Sequence, residues 1–126
     1  MPARILIADD YEDNRELLRL LLMSASAGYQ VIEARSGQEC IELARTYLPD
    51  LIMLDLSMPG FDGWQTLSAL KADPNTSSIP CVASTAHSES QRARAMQSGF
   101  SGYVVKPFQT AELLALVREL LTVRTV

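Results

Sequence analysis

Short apolar runs alternate with amphipathic stretches along this chain, and the alternation predicts five strand–helix pairs. Arg4–Asp9 (RILIAD) reads as a short buried strand with Ile5 and Ile7 inside it. From about Glu12 to Ser24, Leu17, Leu18, Leu21 and Leu22 fall on one helical stripe, and Gly28 closes the region. Tyr29–Ala34 (YQVIEA) reads as the second strand. Ser36, with Glu39 three residues on, matches a capping box, so a helix carrying Ile41 and Ala44 follows and Pro49 marks its end. Leu51–Leu54 (LIML) is a third strand, apolar on both faces and ending at Asp55. Pro59-Gly60 and Asp62-Gly63 mark turns, and a helix runs from about Gly63 to Ala72, before Pro74. Cys81–Thr85 (CVAST) is a fourth strand, after which Ser88 is placed to cap a short helix from Glu89 to about Ser98. Gly102–Val105 (GYVV) is a fifth strand, and Thr110 is placed to cap a last helix with a stripe of Leu113, Val117, Leu120 and Leu121.

Strands buried on both faces and separated by amphipathic helices imply the α/β class. The expected form is a doubly wound (βα)5 domain, a five-stranded parallel sheet with helices on either side and right-handed crossovers. Such open sheets bind ligands at the carboxyl ends of their strands, near the switch in strand order. At 126 residues, 48% hydrophobic and 21% charged, the chain suits one globular domain over 1–126, with no repeat or linker. A net charge of -4 and the lack of a Lys/Arg run give no footprint for nucleic acid or anionic lipid. No apolar run reaches membrane-spanning length and no signal peptide is evident, which fits a cytoplasmic protein. Cys40 and Cys81 lack metal-ligand or CxxC spacing and read as reduced core residues.

The chemistry stands at the strand ends. Asp9-Asp10 end the first strand, Asp55 the third and Thr85-Ala86 the fourth, while Lys106-Pro107 follow the fifth. The fold would gather three carboxylates, a hydroxyl and an ammonium on one edge. Two like charges ~4 Å apart repel by ~4 kcal/mol at an effective dielectric of ~20. Such a pocket either retains a proton or recruits cations. One lysine cannot neutralise three carboxylates, whereas a divalent cation nearly can. The all-oxygen donor set suits Mg²⁺, with Mn²⁺ as the alternative, and no His or Cys cluster favours zinc. A carboxylate is a covalent acceptor for phosphoryl groups, whose transfer depends on in-line positioning and charge neutralisation. A metal bridging acceptor and phosphoryl oxygens, Lys106 at a second oxygen and Thr85 at a third would complete that reaction.

The segments ILIADD, PDLIMLDLSMPGFDGW, IPCVASTA and GYVVKPF, in this order, make the chain resemble the receiver domain of two-component response regulators. In size it is similar to the stand-alone chemotaxis type, and the resemblance covers nearly the whole chain. It implies a flavodoxin-like fold and Asp55 as the phospho-acceptor. It implies Asp10 and Asp55 as direct Mg²⁺ ligands with the main-chain carbonyl of Ser57, and Asp9 as a ligand through water. Lys106 would contact the phosphoryl group, with a cis bond to Pro107. Thr85 and Tyr103 would form a switch pair, the hydroxyl moving toward the phosphoryl group and the ring turning inward. The implied donor is a phosphohistidine on a histidine kinase or phosphotransfer protein. The implied output is a downstream protein bound by the face of the fourth helix, fifth strand and fifth helix.

The chain departs from the family pattern in places. Ser24–Ala27 makes the first helix–strand connection about two residues longer than usual, which loops tolerate. Ser101-Gly102 stand where many DNA-binding members carry acids of a dimer interface, so a monomer or weak dimer is expected. No effector domain follows the last helix, and DNA binding is not implied. Singly, each residue has a plainer reading: Asp9-Asp10 as a helix cap, Asp55 as a turn cap, Lys106 as a surface lysine, Thr85 as a strand residue, Tyr103 as a core aromatic. Their joint occurrence at successive strand ends outweighs those readings. His87 reads as an exposed loop residue; the sharper alternative has His87 and Ser57 tuning water access to phosphorylated Asp55. Arg92, Arg94 and Gln97 read as a solvated face.

Three other functions compete. A Mg²⁺-dependent aspartyl phosphatase would need a second acid two residues after its nucleophile, where this chain has Ser57. A flavodoxin-type cofactor module would need a Ser/Thr/Gly-rich loop after the first strand, where Asp9–Asp13 is acidic. A receiver-shaped scaffold that is never phosphorylated would lack a pocket residue, and none is lacking. The expectation is therefore a signalling switch that catalyses only its own phosphorylation and dephosphorylation.

Overall fold

A computed structural model describes residues 2–25, 28–86 and 89–124. The elements follow in the order β1 (Arg4–Ala8), α1 (Glu12–Met23), β2 (Gln30–Ala34), α2 (Gly37–Tyr47), β3 (Leu51–Asp55), α3 (Gly63–Ala72), β4 (Cys81–Thr85), a 3₁₀ turn (Glu89–Gln91), α4 (Arg92–Ser98), β5 (Gly102–Val105) and α5 (Thr110–Arg124). All pairings are parallel, in the strand order β2-β1-β3-β4-β5. This is the expected doubly wound (βα)5 sheet.

Alternation along the strands divides the core in two. Ile5, Ile7, Leu51, Met53 and Val82 face α1 and α5, where Leu18, Leu22, Leu113 and Val117 complete one cluster. Leu6, Ala8, Ile52, Leu54, Cys81 and Ala83 face the other way, with α2, α3 and α4 over them. Both cysteines are fully buried there; burial pushes the Cys81 thiol up to about 12 and that of Cys40 above its ordinary range. Among the described residues no helix is long and apolar enough to cross a membrane.

Several local expectations need correction. Leu17 and Leu20 point to solvent, 48% and 54% exposed, so the buried stripe of α1 runs through Leu18 and Leu22 and does not include Leu17. Ser36 does cap α2, its hydroxyl accepting from Glu39 N–H at 3.1 Å, but the Glu39 carboxylate reaches back to Arg35 N–H at 2.7 Å. The complete capping box is on α3. There Asp62 Oδ1 accepts from Gln65 N–H at 2.9 Å, and Gln65 Oε1 from Asp62 N–H at 3.0 Å. Thr110 lies inside α5 rather than before it, with Leu113 N–H donating to the Gln109 carbonyl at 2.9 Å. Arg92 and Arg94 are more than a solvated face, since they stack over Tyr103 and Trp64 at 5.0 Å and 4.0 Å. Ser88 and Ser26-Ala27 lie outside the described residues.

Candidate functional site

β1 and β3 are adjacent although β2 lies between them in the chain, so the crevice expected at a strand-order switch opens at their carboxyl ends. Register brings these ends level: Ala8 lies opposite Leu54, and Asp55 opposite Ser84. One step beyond the strands, Asp9 and Asp10 join Asp55, and the three offer carboxylate oxygens within 4.8 Å of one another. Asp9 and Asp55 are buried and Asp10 is half-buried. Lys106 reaches over from the end of β5, its Nζ 2.8 Å from Asp9 Oδ2 and 3.4 Å from Asp55 Oδ2. Its peptide bond to Pro107 is cis, as the resemblance implied.

Burial pushes the Asp55 carboxyl above the usual carboxylate range and the Asp9 charge adds to this, while the Ser57 N–H and Lys106 oppose it. At Lys106, burial works against the charge, but the Asp9 hydrogen bond and the Asp55 and Asp9 charges outweigh it and raise the pKa. Lys106 therefore stays protonated, and the pocket holds more negative than positive charge. Asp10 Oδ1 is buried yet accepts no hydrogen bond. A buried carboxylate oxygen without a donor is costly, and a hard cation beside it would remove that cost. The residues present thus fit a divalent metal ligated by oxygen.

The family model for the response regulator receiver domain matches residues 5–118. This chain belongs to the receiver domain family. Receivers are the phospho-accepting switches of two-component signalling; they receive phosphate from histidine kinases, bind Mg²⁺ at an acidic pocket and act on downstream partners. The response regulator PleD of Caulobacter vibrioides is 40% identical over 121 residues, 95% of this chain, and the chain spans only 26% of PleD's length. The polar-differentiation response regulator DivK of Brucella anthropi is 33% identical over 96% of this chain and 98% of its own. The receiver domain of the sensor histidine kinase PA1611 from Pseudomonas aeruginosa superposes with a TM-score of 0.86 at 27% identity, covering 97% of this chain and 99% of that one. Its crystal structure has a magnesium ion coordinated in the active site cleft.

The other expected residues of the receiver site are Ser57, Thr85, Tyr103 and His87. Ser57 lies at the pocket, exposed, with its N–H donating to Asp55 Oδ1 at 3.0 Å. Thr85 is fully buried at the end of β4, and its carbonyl accepts the Lys106 N–H at 2.8 Å. Tyr103 lies opposite Ala83 in the register, within the cluster under α2, α3 and α4, 3% exposed and beneath Arg92, which is itself ion-paired with Glu89. His87 lies outside the described residues.

Two contributors escaped the sequence reading. Gly63 packs so closely that a Cβ there would stand 2.5 Å from the Asp55 carbonyl oxygen and 2.8 Å from Leu56 Cα. Only a residue without a side chain lets α3 start this near the acceptor's own backbone. Arg15, buried in α1, donates to the Asp9 main-chain carbonyl at 2.8 Å and to Glu33 at 3.2 Å. Its sequence signal was a charge three residues before Leu18 and seven before Leu22, at the start of the buried stripe.

Proposed function

We propose that Asp55 takes a phosphoryl group from the phosphohistidine of a histidine kinase or phosphotransfer protein, and that this shifts the α4–β5–α5 face toward a form that controls a protein partner. The observation that carries the reading is the pocket charge: three carboxylates within 4.8 Å and one protonated lysine bridging two of them. Such a cluster gains from a divalent cation and, once that is bound, tolerates the oxygens of a phosphoryl group.

Asp10 and Asp55, with the Ser57 carbonyl, would hold the Mg²⁺, and Asp9 would act through water. The ion supplies charge neutralisation for the acceptor and the transferring group. The chain's own groups do the rest. The Ser57 N–H holds Asp55 Oδ1, fixing the carboxylate's orientation. An Asp55 oxygen attacks phosphorus, the P–N bond breaks, and its electron pair leaves on the imidazole nitrogen, which takes a proton from solvent. Lys106 lies against Asp55 Oδ2 and is placed to meet a phosphoryl oxygen. The Thr85 hydroxyl would turn to another. The Tyr103 ring would turn inward with it, so phosphorylation would shift an equilibrium between two arrangements of this face.

Incubation with Mg²⁺ and acetyl phosphate, read by intact mass, tests the reading. One added phosphoryl group, absent with EDTA and in Asp55→Asn, is expected. Sustained release of phosphate at a high rate would mark an enzyme instead. No adduct from either acetyl phosphate or a histidine kinase would end the proposal.

A further inference from the structure

We infer that Arg15 is a positioning residue for the cation site, fixing the peptide between Asp9 and Asp10 so that both acids face the pocket. The inference rests on the Mg²⁺-binding role proposed above. Arg15 is the one arginine among the described residues that is buried, at 7% exposure. A guanidinium so placed must find acceptors. Its Nε donates to Glu33 Oε1 near the end of β2 at 3.2 Å, and its Nη1 to the Asp9 main-chain oxygen at 2.8 Å. Glu33 also pairs with the half-exposed Arg19 at 3.4 Å, a contact that does not reach the Asp9 peptide.

The carbonyl that Arg15 holds belongs to the peptide joining Asp9 to Asp10. Peptide planarity makes its orientation set the direction in which Asp10 leaves the strand. The other bonds here run through Asp9, one of them from the peptide that follows Asp10. Its N–H donates to the Ala34 carbonyl at 3.2 Å, and its carboxylate accepts from Tyr11 N–H at 2.9 Å and from Lys106 at 2.8 Å. Asp10 Oδ1 accepts no hydrogen bond. Asp10 therefore takes its place from the backbone, and a charge-assisted bond from Arg15 holds that backbone on the α1 side.

Charge separates this role from a simple tie between α1 and β2. A guanidinium beside the pocket repels a divalent cation. Were Arg15 only a tie, its neutral replacement would leave Mg²⁺ binding unchanged or tighten it. A positioning residue gives the opposite sign, and groups that orient metal ligands typically carry about 10–100-fold in affinity.

The test is calorimetric titration of Mg²⁺ into the unphosphorylated chain, well below the unfolding midpoint of each variant. Arg15→Met is expected to weaken Mg²⁺ binding by about 10-fold or more. Arg19→Met, which removes the other arginine on Glu33 and spares the Asp9 bond, is expected to leave affinity unchanged. Binding by folded Arg15→Met as tight as wild type, or tighter, overturns the inference. Should Arg15→Met fail to fold, Arg15→Lys keeps the charge near Glu33 but loses the forked donor. Its affinity should fall too, and an unchanged affinity overturns the inference equally. A wild-type chain that takes up no Mg²⁺ overturns the proposed function and this inference together, whereas the variant outcomes overturn the inference alone.

Discussion

Removing the charge at position 55 should stabilise the metal-free protein. The native Asp55 carboxyl titrates above its ordinary value of 3.8, so the folded chain keeps that proton to higher pH than the unfolded chain does. Stability is therefore lost as pH rises from 3.8 through the native value, and ionised Asp55 is a net cost at neutral pH. Burial is the first cause of that cost, and the distances give a scale for the charges around it. At 4.8 Å or less, repulsion from Asp9 and from Asp10 is about 3.5 kcal/mol each at an effective dielectric of ~20. Attraction to Lys106 at 3.4 Å returns about 5 kcal/mol on the same scale. The difference is about 2 kcal/mol. Asp55→Asn removes this cost, and its amide oxygen still accepts the Ser57 N–H now bonded at 3.0 Å. In EDTA the variant should be more stable than wild type by about 1–2 kcal/mol, a rise of several degrees in midpoint. In Mg²⁺ at about 100 times its Kd the wild type gains about 2.7 kcal/mol, and the variant, one ligand charge short, gains less. The gap should close or reverse. Thermal and urea denaturation in both buffers read the effect. An Asp55→Asn chain less stable than wild type in EDTA would refute the claim that ionised Asp55 is a net cost in the metal-free fold.

Three further outcomes follow from particular residues. Gly63→Ala forces a Cβ against the Asp55 carbonyl and Leu56 Cα, so it should cost about 1–3 kcal/mol and slow adduct formation at Asp55. Denaturation and a time course of intact mass read the two effects. Leu48 ends α2 with φ 47°, a left-handed conformation costly for a branched side chain, and it is exposed. Leu48→Gly should raise stability by about 1 kcal/mol in a thermal melt. Lys106 titrates above the ordinary lysine value of 10.5, so its contribution is complete below that pH and is lost as pH climbs through the native value. Lys106→Met should flatten that alkaline loss; a profile as steep as the wild type's would count against the lysine's pairing with Asp9 and Asp55.

The strands were legible because a sheet covered on both faces leaves a run of apolar residues between polar ends. β4, β5 and α3 have the bounds their sequence patterns predict, and β1 and β2 differ by one residue at an end. The site was legible for the same reason: in a parallel sheet, every strand's carboxyl end falls on one edge, so Asp9, Asp10, Asp55, Thr85 and Lys106 were placed by topology alone. What stayed hidden depends on tertiary contact. Gly63 read as a turn glycine because its approach to Asp55 crosses from one element to the next. Arg15 was passed over because a leucine count on α1 treats Leu17 and Leu18 alike, whereas the helix buries the face shared by Arg15, Leu18 and Leu22. The stacking of Arg92 on Tyr103 is likewise set by packing between α4 and β5, which periodicity along α4 does not report.

The most direct measurement locates the acyl phosphate. After reaction with acetyl phosphate and Mg²⁺, borohydride reduces a phosphorylated aspartate to homoserine, and trypsin separates the candidates. Asp9 and Asp10 lie in the peptide Ile5–Arg15, and Asp55 lies in Thr46–Lys71. Homoserine is expected at position 55 and nowhere else. Homoserine at position 9 or 10, or a phosphoryl group that survives reduction on a hydroxyl, would contradict it.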